Sequence, residues 1–335
     1  MTAPRRGSRR YLASKLGFYL VAAWAAVTLN FFLPRLIPGN PVDVIIGRQA
    51  RFGTPPPGEA AALAKILGLG TGSIFTRYWQ YLDSLAHLRL GLSVYEFPTP
   101  VSGVIRQSIG WTVILVGTAT VISFGVGTAL GVLAGWKRGT WLDHLVPATT
   151  FLTAVPYFWL ALLLSYLFTQ LIPVLPTSGG YDPTGTIGFN GPFIVSAIQH
   201  SVLPAVTIVV SSLGGWLLSM RNMMVSTLSE DYVIAAEAKG LPPRRVMIRY
   251  AARNAILPNV SGFAISLGFV VSGAIGMELV FNYPGIGDVL FNAVINDDYS
   301  LMQGIFLVIT LTVLAANLLV DLLYAVIDPR TRTGA

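Results

Sequence analysis

Several runs of this chain are predominantly apolar over more than about 18 residues, enough to cross a hydrocarbon core about 30 Å thick. They constrain the fold more than any other feature. A lipid-embedded backbone must satisfy its own polar groups, and a helix does so within one segment. The 335 residues are 53% hydrophobic and only 11% charged, where a soluble domain carries about a quarter charged residues. The reading is an all-α integral membrane protein with six transmembrane helices. Their extents are Tyr11 to Ile37, Ile105 to Trp136, His144 to Ile172, His200 to Met223, Asn259 to Val280 and Gly304 to Ile327.

Charge placement orients the spans. Arg5, Arg6, Arg9 and Arg10 precede the first run, as in a signal peptide. The best cleavage candidate, Ala23-Trp24-Ala25, lies in the middle of that run, so the segment reads as an uncleaved anchor. Lys137 and Arg138 fall between spans two and three. Arg221, Lys239, Arg244, Arg245, Arg249 and Arg253 fall in or beside the loop between spans four and five, and Arg330 and Arg332 end the chain. The opposite loops, Pro173 to Gln199 and Phe281 to Gln303, contain no Lys or Arg. The positive-inside rule therefore puts both termini in the cytoplasm. It also explains the net charge of +7 without nucleic acid.

Four regions follow: residues 1–37 with the first span, an external loop over 38–104, a membrane core over 105–327 and a cytoplasmic tail over 328–335. The long external loop reads as a small cap. It holds helices at Glu59 to Leu67, closed by Gly68, and at Ile74 to Leu88, and Pro55-Pro56-Pro57 separates segments of the loop ahead of them. The stretch from Arg51 to Gly58 reads as irregular or disordered. The segment Leu175 to Pro183 is rich in turn residues.

Between spans four and five, Thr227 to Pro258 is polar, basic and dense in helix-end signals. Ser229 suits an N-cap, and Glu230 and Asp231 favour the first helical turn. Tyr232, Ala235, Ala236 and Lys239 share a face. Gly240 can take the left-handed conformation that ends a helix, and Pro242-Pro243 suits the start of the next. Val246, Met247, Tyr250 and Ala251 form an apolar stripe, with Arg245, Arg249 and Arg253 in water. Leu257-Pro258 turns the chain back to the membrane. This cytoplasmic hairpin reads either as a docking element for a soluble partner or as an amphipathic loop on anionic lipid.

The stretch Asp231-Tyr-Val-Ile-Ala-Ala-Glu-Ala-Lys-Gly-Leu241, followed by Arg253-Asn-Ala-Ile-Leu-Pro258, resembles the coupling motif of binding-protein-dependent ABC importer permeases. The resemblance is to the dipeptide/oligopeptide permease family, first of its two subunits. Pro38-Gly-Asn-Pro-Val42, His200-Ser-Val-Leu-Pro-Ala205, Phe281-Asn-Tyr-Pro-Gly-Ile-Gly287 and Val320-Asp-Leu-Leu-Tyr-Ala-Val-Ile-Asp-Pro-Arg330 extend it in order along nearly the whole chain. There are departures. Ile234-Ala235-Ala236 stands where the general motif begins Glu-Ala-Ala, and Tyr250 stands where the peptide variant often has His.

The resemblance implies a type I ABC importer permease fold. It implies a coupling hairpin, at about 227–258, seated in a cytoplasmic ATPase whose closure rotates the permease halves. The coupling residues it marks are Ala235, Ala236, Glu237, Gly240, Leu241, Arg244 and Arg245. Small residues allow close packing there, and Arg244 and Arg245 offer charge contacts. The implied partners are a second homologous permease subunit, two cytoplasmic ATP-binding subunits and an external solute-binding protein, in addition to membrane lipid. The setting is a bacterial or archaeal plasma membrane. Cargo would be di- or oligopeptides first, then oligosaccharides or nickel chelates.

No Gly-x-x-x-x-Gly-Lys-Ser/Thr phosphate loop occurs, so ATP would bind to another chain. No His-Glu-x-x-His occurs, and His87, His144 and His200 fall in separate places. There is no cysteine. Accordingly no catalytic, cofactor or metal site is expected.

Charges inside spans are costly and default to functional readings. Glu278 is expected to line the route, pair near the external gate or sit at headgroup level. Asp321 is expected to form an intersubunit or span-end bond. Pro156 and Pro204 mark possible backbone breaks. Gly127, Gly131 and Gly135, with Gly125 nearby, permit close helix contact. The competing classes are an ion-coupled secondary transporter or channel, and a membrane scaffold that does not transport.

Overall fold

The computed structural model describes residues 5–36, 40–50, 56, 58–66, 72–272 and 275–327. Gly68 and the 328–335 tail lie outside the described residues, as does most of Arg51 to Gly58. Apart from one bridge between Leu92 and Pro100, the described residues are helix, turn and loop.

Among the described residues, four continuous helices are long and apolar enough to cross a membrane. They are α1 (Arg5–Leu36), α5 (Val101–Trp136), α8 (Gly191–Thr227) and α15 (Tyr299–Ile327). The 36 residues of α5 extend about 54 Å at 1.5 Å per residue, well beyond the hydrocarbon core. Two bent helix pairs pass the same test together, and counting each pair as one span raises the total to as many as six.

The expected third span is not one straight helix. It divides into α6 (Leu142–Ala154) and α7 (Tyr157–Ser165), the latter continuing as a π-helical segment, Tyr166–Leu171. The two arms meet at 97°. Pro156 causes the break: it has no N–H to donate, and its ring drives the preceding residue out of the helical region. Val155 is accordingly extended, with φ −74° and ψ 127°. Pro204, by contrast, lies inside a continuous α8.

The expected fifth span is also interrupted. After α9 (Asp231–Ala238), the chain climbs through α10 (Pro243–Arg245), a π-helical segment Val246–Ala252 and α11 (Arg253–Ala255). It then bends by 50° into α12 (Leu257–Phe269). A 3₁₀ turn, Val270–Ser272, ends that stretch, and α13 (Ile275–Val280) follows. The helical arm of the hairpin and the membrane segment are therefore one bent pair.

The chain forms two compact units. The first comprises residues 1–111 and 285–335. Here α1 packs along α15. The cap contributes α2 (Pro41–Gln49), α3 (Glu59–Ile66) and α4 (Ile74–Ala86). Helix α3 is described as far as Ile66, and the expected last residue, Leu67, lies outside the described residues; α4 ends two residues before expectation, within the usual uncertainty of helix ends. Ser73 caps α4 by accepting the Thr76 N–H. Helix α2 was not anticipated. Its start is a local signal: Asn40 Oδ1 accepts the Val42 N–H at 3.1 Å, Pro41 opens the helix, and Asp43 lies in its first turn. That is favourable N-terminal chemistry.

One apolar cluster in this unit joins Val101, Val104 and Ile105 of α5 to Val289 and Leu290 of α14 (Ile286–Ile295) and to Leu301 and Ile305 of α15. A smaller one, Val42, Ile45, Leu63 and Val94, holds the cap together.

The second unit comprises residues 112–284. A close helix contact in it is made by the glycine stripe on α5. A Cβ built at Gly127, Gly131 or Gly135 would lie 2.6, 2.6 or 2.5 Å from the Cβ of Trp216, Met220 or Met224 on α8. Close approach of the two backbones requires hydrogen at these three positions. Gly131→Leu is expected to destabilise the fold by about 1–3 kcal/mol, read as a lower melting temperature of the detergent-purified chain. Gly125 has open space where its Cβ would be, so Gly125→Leu should leave that temperature nearly unchanged.

Candidate functional site

The hairpin lies in the second unit and is built around a small core of its own. Val233, Ala236 and Val246 are buried against one another, with Trp136, Leu228, Leu241 and Tyr250 packed around them. Helix α9 starts at Asp231 with Glu230 in the N-cap position. Ser229 does not cap it, because its hydroxyl turns back to donate to Ser226 O at 2.8 Å. Gly240 closes α9 at φ +72°, a conformation that glycine adopts without the Cβ penalty. Its N–H donates to Glu237 O at 2.8 Å, and the Leu241 N–H donates to Ala236 O at 3.4 Å.

This geometry divides the expected coupling residues. Ala235, Glu237, Gly240, Arg244 and Arg245 are exposed, and Leu241 is half-buried. Ala236 is 3% exposed and packs inward. The expected shared face of Tyr232, Ala235, Ala236 and Lys239 is therefore corrected at Ala236, because Val233 and Val246 need a small neighbour between the arms. Of the expected apolar stripe in the second arm, Val246 and Ala251 are fully buried, while Met247 and Tyr250 are half-buried. Ile234 and Ile248 are exposed apolar side chains on the same hairpin, where large exposed apolar surface marks interaction sites.

Where α8 meets α12, an open groove of about 370 Å³ is lined by Ser212, Gly215, Ser219, Asn259 and Gly262 beside Trp216. These are small or polar residues within otherwise apolar spans, a composition suited to a wetted route. Asn259 had not been anticipated as a site residue. It is 2% exposed and accepts from Ser219 Oγ at 2.6 Å. Its amide donates to Trp216 O at 3.3 Å and Thr128 Oγ1 at 3.5 Å, tying three spans together. A lone Asn opening an apolar run was the available signal. Phe124 stacks on Phe263 with centroids 4.3 Å apart and makes an edge contact with Trp216.

Glu278 on α13 is wholly buried, so it is not a surface carboxylate. It accepts from Thr112 Oγ1 at 2.8 Å. Tyr283, just beyond α13, donates its N–H to Glu278 O at 2.8 Å, and its hydroxyl lies 3.1 Å from Ser201 Oγ. Burial pushes the Tyr283 phenol pKa up, which keeps it a neutral hydrogen-bonding group.

The first unit holds the other expected charge. Asp321 Oδ2 accepts from Lys15 Nζ at 2.7 Å and from Tyr19 OH at 2.9 Å. Its bond runs to α1 of the same chain, near a span end, where the desolvated charges offset each other. A second carboxylate there, Asp298, escaped the sequence reading. It is wholly buried. It accepts the N–H groups of Val94, Tyr95 and Leu301 at 2.6, 2.9 and 2.9 Å, in addition to the Ser93 hydroxyl. Its position three residues before Leu301, at the mouth of the last apolar run, is the N-cap signal that could have revealed it. Among the described residues, no group of three or more His, Asp or Glu side chains is placed to hold a metal.

The family described as "Binding-protein-dependent transport system inner membrane component" matches residues 127–333, a span that contains the hairpin, the groove and the buried Glu278. The chain belongs to this family. It is thus a multi-pass inner-membrane permease component of a transport system. Similar proteins extend the match over almost the full length. The di/tripeptide transport system permease protein DppB of Pseudomonas aeruginosa is 34% identical over 345 residues, covering 96% of this chain and 98% of that one. The dipeptide transport system permease protein DppB of Escherichia coli K12 is 32% identical, with coverage of 96% and 98%. That of Alkalihalophilus pseudofirmus is 31% identical, with coverage of 91% and 93%.

Proposed function

We propose that this permease is one of two transmembrane subunits of an ATP-driven importer of di- or oligopeptides. The observation that carries the reading is end-to-end similarity to permeases named for dipeptide and di/tripeptide transport. The groove between α8 and α12 would form this subunit's share of the route. The hairpin would seat on a separate cytoplasmic ATPase, through Ala235, Glu237, Gly240, Leu241, Arg244 and Arg245 with Ile234 and Ile248 beside them. Ala236 would act from within, by keeping the two arms close. A second permease, a second ATPase and an external solute-binding protein complete the machine, with both termini of this chain in the cytoplasm. ATP-driven closure would move the hairpin as a rigid body and switch a bistable pair of permeases.

Gentle extraction from the native membrane followed by mass spectrometry tests the assembly. Recovery of a second permease, ATPases and a binding protein is expected. Vesicles reconstituted with that set should take up a labelled dipeptide only with ATP inside and binding protein outside. A well-folded chain repeatedly recovered alone, or uptake driven by an ion gradient without ATP, would sink the reading.

A further inference from the structure

The first unit contains a cationic cavity that the transport reading does not use. It has a volume of about 310 Å³ and lies where the end of α1, helix α4 and the first turns of α15 converge. Three arginines line it: Arg35 from α1, Arg77 from α4 and Arg89 from the loop after α4. Tyr81, Ser300 and Gln303 add neutral donors, and no Asp or Glu occurs among the described lining residues. Arg35 is held in place from behind. One of its terminal nitrogens donates to Phe31 O, and its guanidinium lies 3.7 Å over the Phe31 ring centroid. The Nε atoms of both Arg35 and Arg77 are buried, with no hydrogen-bond partner among the described residues. Buried guanidinium nitrogens without an acceptor are expensive, and three guanidinium groups around one cavity with no carboxylate among its described lining favour an anion. An anion with several oxygens would pair with the guanidinium groups that line the cavity, and the guanidinium fork matches phosphate geometry.

The position of the cavity selects the kind of anion. Arg35 lies two residues beyond the apolar stretch Ser14–Leu33, and Ser300 and Gln303 lie at the start of the apolar stretch Tyr299–Leu319. The cavity is therefore at the depth of lipid headgroups, on the side opposite the amino terminus. Helix α4 carries the matching apolar element. Phe75 and Trp79, one turn apart, are 75% and 67% exposed. They border a second depression that shares Gln80 and Ser84 with the cationic one. Exposed aromatics one turn apart on an amphipathic helix at this depth are the pattern of a segment lying in the membrane interface. A soluble acidic partner would match the arginines and leave the aromatics unexplained.

We infer that this cavity is a phospholipid site: Arg35, Arg77 and Arg89 hold the phosphate of an anionic headgroup, and Phe75 and Trp79 lie against the acyl boundary beside it. The bound lipid would tie the cap to the ends of α1 and α15. The site stands independently of what the permease carries.

The test uses the full-length protein, stripped of lipid in mild detergent and offered single lipids, with native mass spectrometry as the readout. Phosphatidylglycerol should be retained by the wild type. Dioleoylglycerol, which has the chains without the phosphate, should not. Arg35→Gln with Arg77→Gln should lower phosphatidylglycerol retention about tenfold or more, given the strength of charge-assisted hydrogen bonds. Arg35→Lys with Arg77→Lys should restore part of it. Retention in the glutamine variant equal to wild type would overturn the site. Equal retention of dioleoylglycerol and phosphatidylglycerol by the wild type would do the same, and needs no variant to fold. Displacement of the lipid by inorganic phosphate alone would show a free-anion site and overturn the lipid assignment.

Discussion

Asp298→Ala is expected to release the loop at residues 93–95 from the start of α15 and to destabilise the first unit by about 3 kcal/mol or more. The reasoning is a count of donors. One wholly buried carboxylate serves three backbone N–H groups and the Ser93 hydroxyl. Alanine removes that acceptor from all four donors, and each hydrogen bond to a charged group is worth about 1.5–3 kcal/mol. The site offers no easy escape, because Ser93 and Asp298 are both wholly buried and Val94 is 1% exposed. Asn at this position keeps one acceptor oxygen and the size of the side chain, so Asp298→Asn should fall between wild type and alanine. Ser93→Ala removes the hydroxyl's bond to the carboxylate and its bond from the Glu96 N–H but leaves the three backbone donors of Asp298 paired, so it should cost only about 1–2 kcal/mol. Thermal unfolding in detergent would rank the three variants. Limited proteolysis should cut Asp298→Ala near residues 88–100 under conditions that spare wild type. An alanine variant as stable and as resistant as wild type would show that water replaces the carboxylate and that the anchor is unimportant.

Much of the fold was legible because lipid simplifies the chemistry. Apolar length alone located the four long apolar helices, since a helix is the economical way for one segment to carry its backbone through hydrocarbon. What composition could not show was where an apolar run stops being one rod. His144 to Ile172 reads as a single span by hydropathy, and only the backbone consequence of Pro156 turns it by 97°. The same proline chemistry leaves α8 continuous at Pro204. A proline thus marks a place where a break is inexpensive, and packing decides whether it occurs. The second bend, at Ile256, has Pro258 two residues beyond it and was assigned to the end of the hairpin instead of the entry to the span.

The hairpin was legible as an element and only partly as a surface. Helix ends, Gly240 and the apolar stripe are local properties of sequence. Which small residue faces a partner depends on how the two arms pack. Ala235 and Ala236 look equivalent in the sequence, yet Val233 and Val246 claim Ala236 for the interior and leave Ala235 outside. The glycine stripe on α5 illustrates the same gap. Its spacing shows that something approaches closely, and only the structure shows that Trp216, Met220 and Met224 of the same chain do so. Asp298 and Asn259 were overlooked for a different reason. Each is a single polar residue at the edge of an apolar run, and its importance comes from partners about 40 to 205 positions away in the chain.

Gly240→Trp is expected to abolish peptide uptake while leaving the permease folded. Inside the chain the position is open: a Cβ built on Gly240 meets nothing within 4 Å. The internal cost is confined to backbone strain, because φ is +72° and a non-glycine residue there loses about 1–2 kcal/mol. The hairpin core of Val233, Ala236 and Val246 does not touch this turn's outer side and should survive. A bulky indole would therefore act on whatever seats against the turn. Gly240→Asn separates the two effects, since asparagine tolerates the left-handed region and adds little bulk. In reconstituted vesicles, the tryptophan variant should lose at least about tenfold in ATP-dependent uptake, the equivalent of about 1.4 kcal/mol of lost coupling. It should also either fail to retain the ATPases or let them hydrolyse ATP without transport. The asparagine variant should keep most of the uptake. If both lose uptake equally, the turn's own conformation is the limiting factor and close seating on a partner is not. If tryptophan keeps wild-type uptake and ATPase retention, this face of the hairpin does not carry the motion, and the search moves to the exposed pair Ile234 and Ile248.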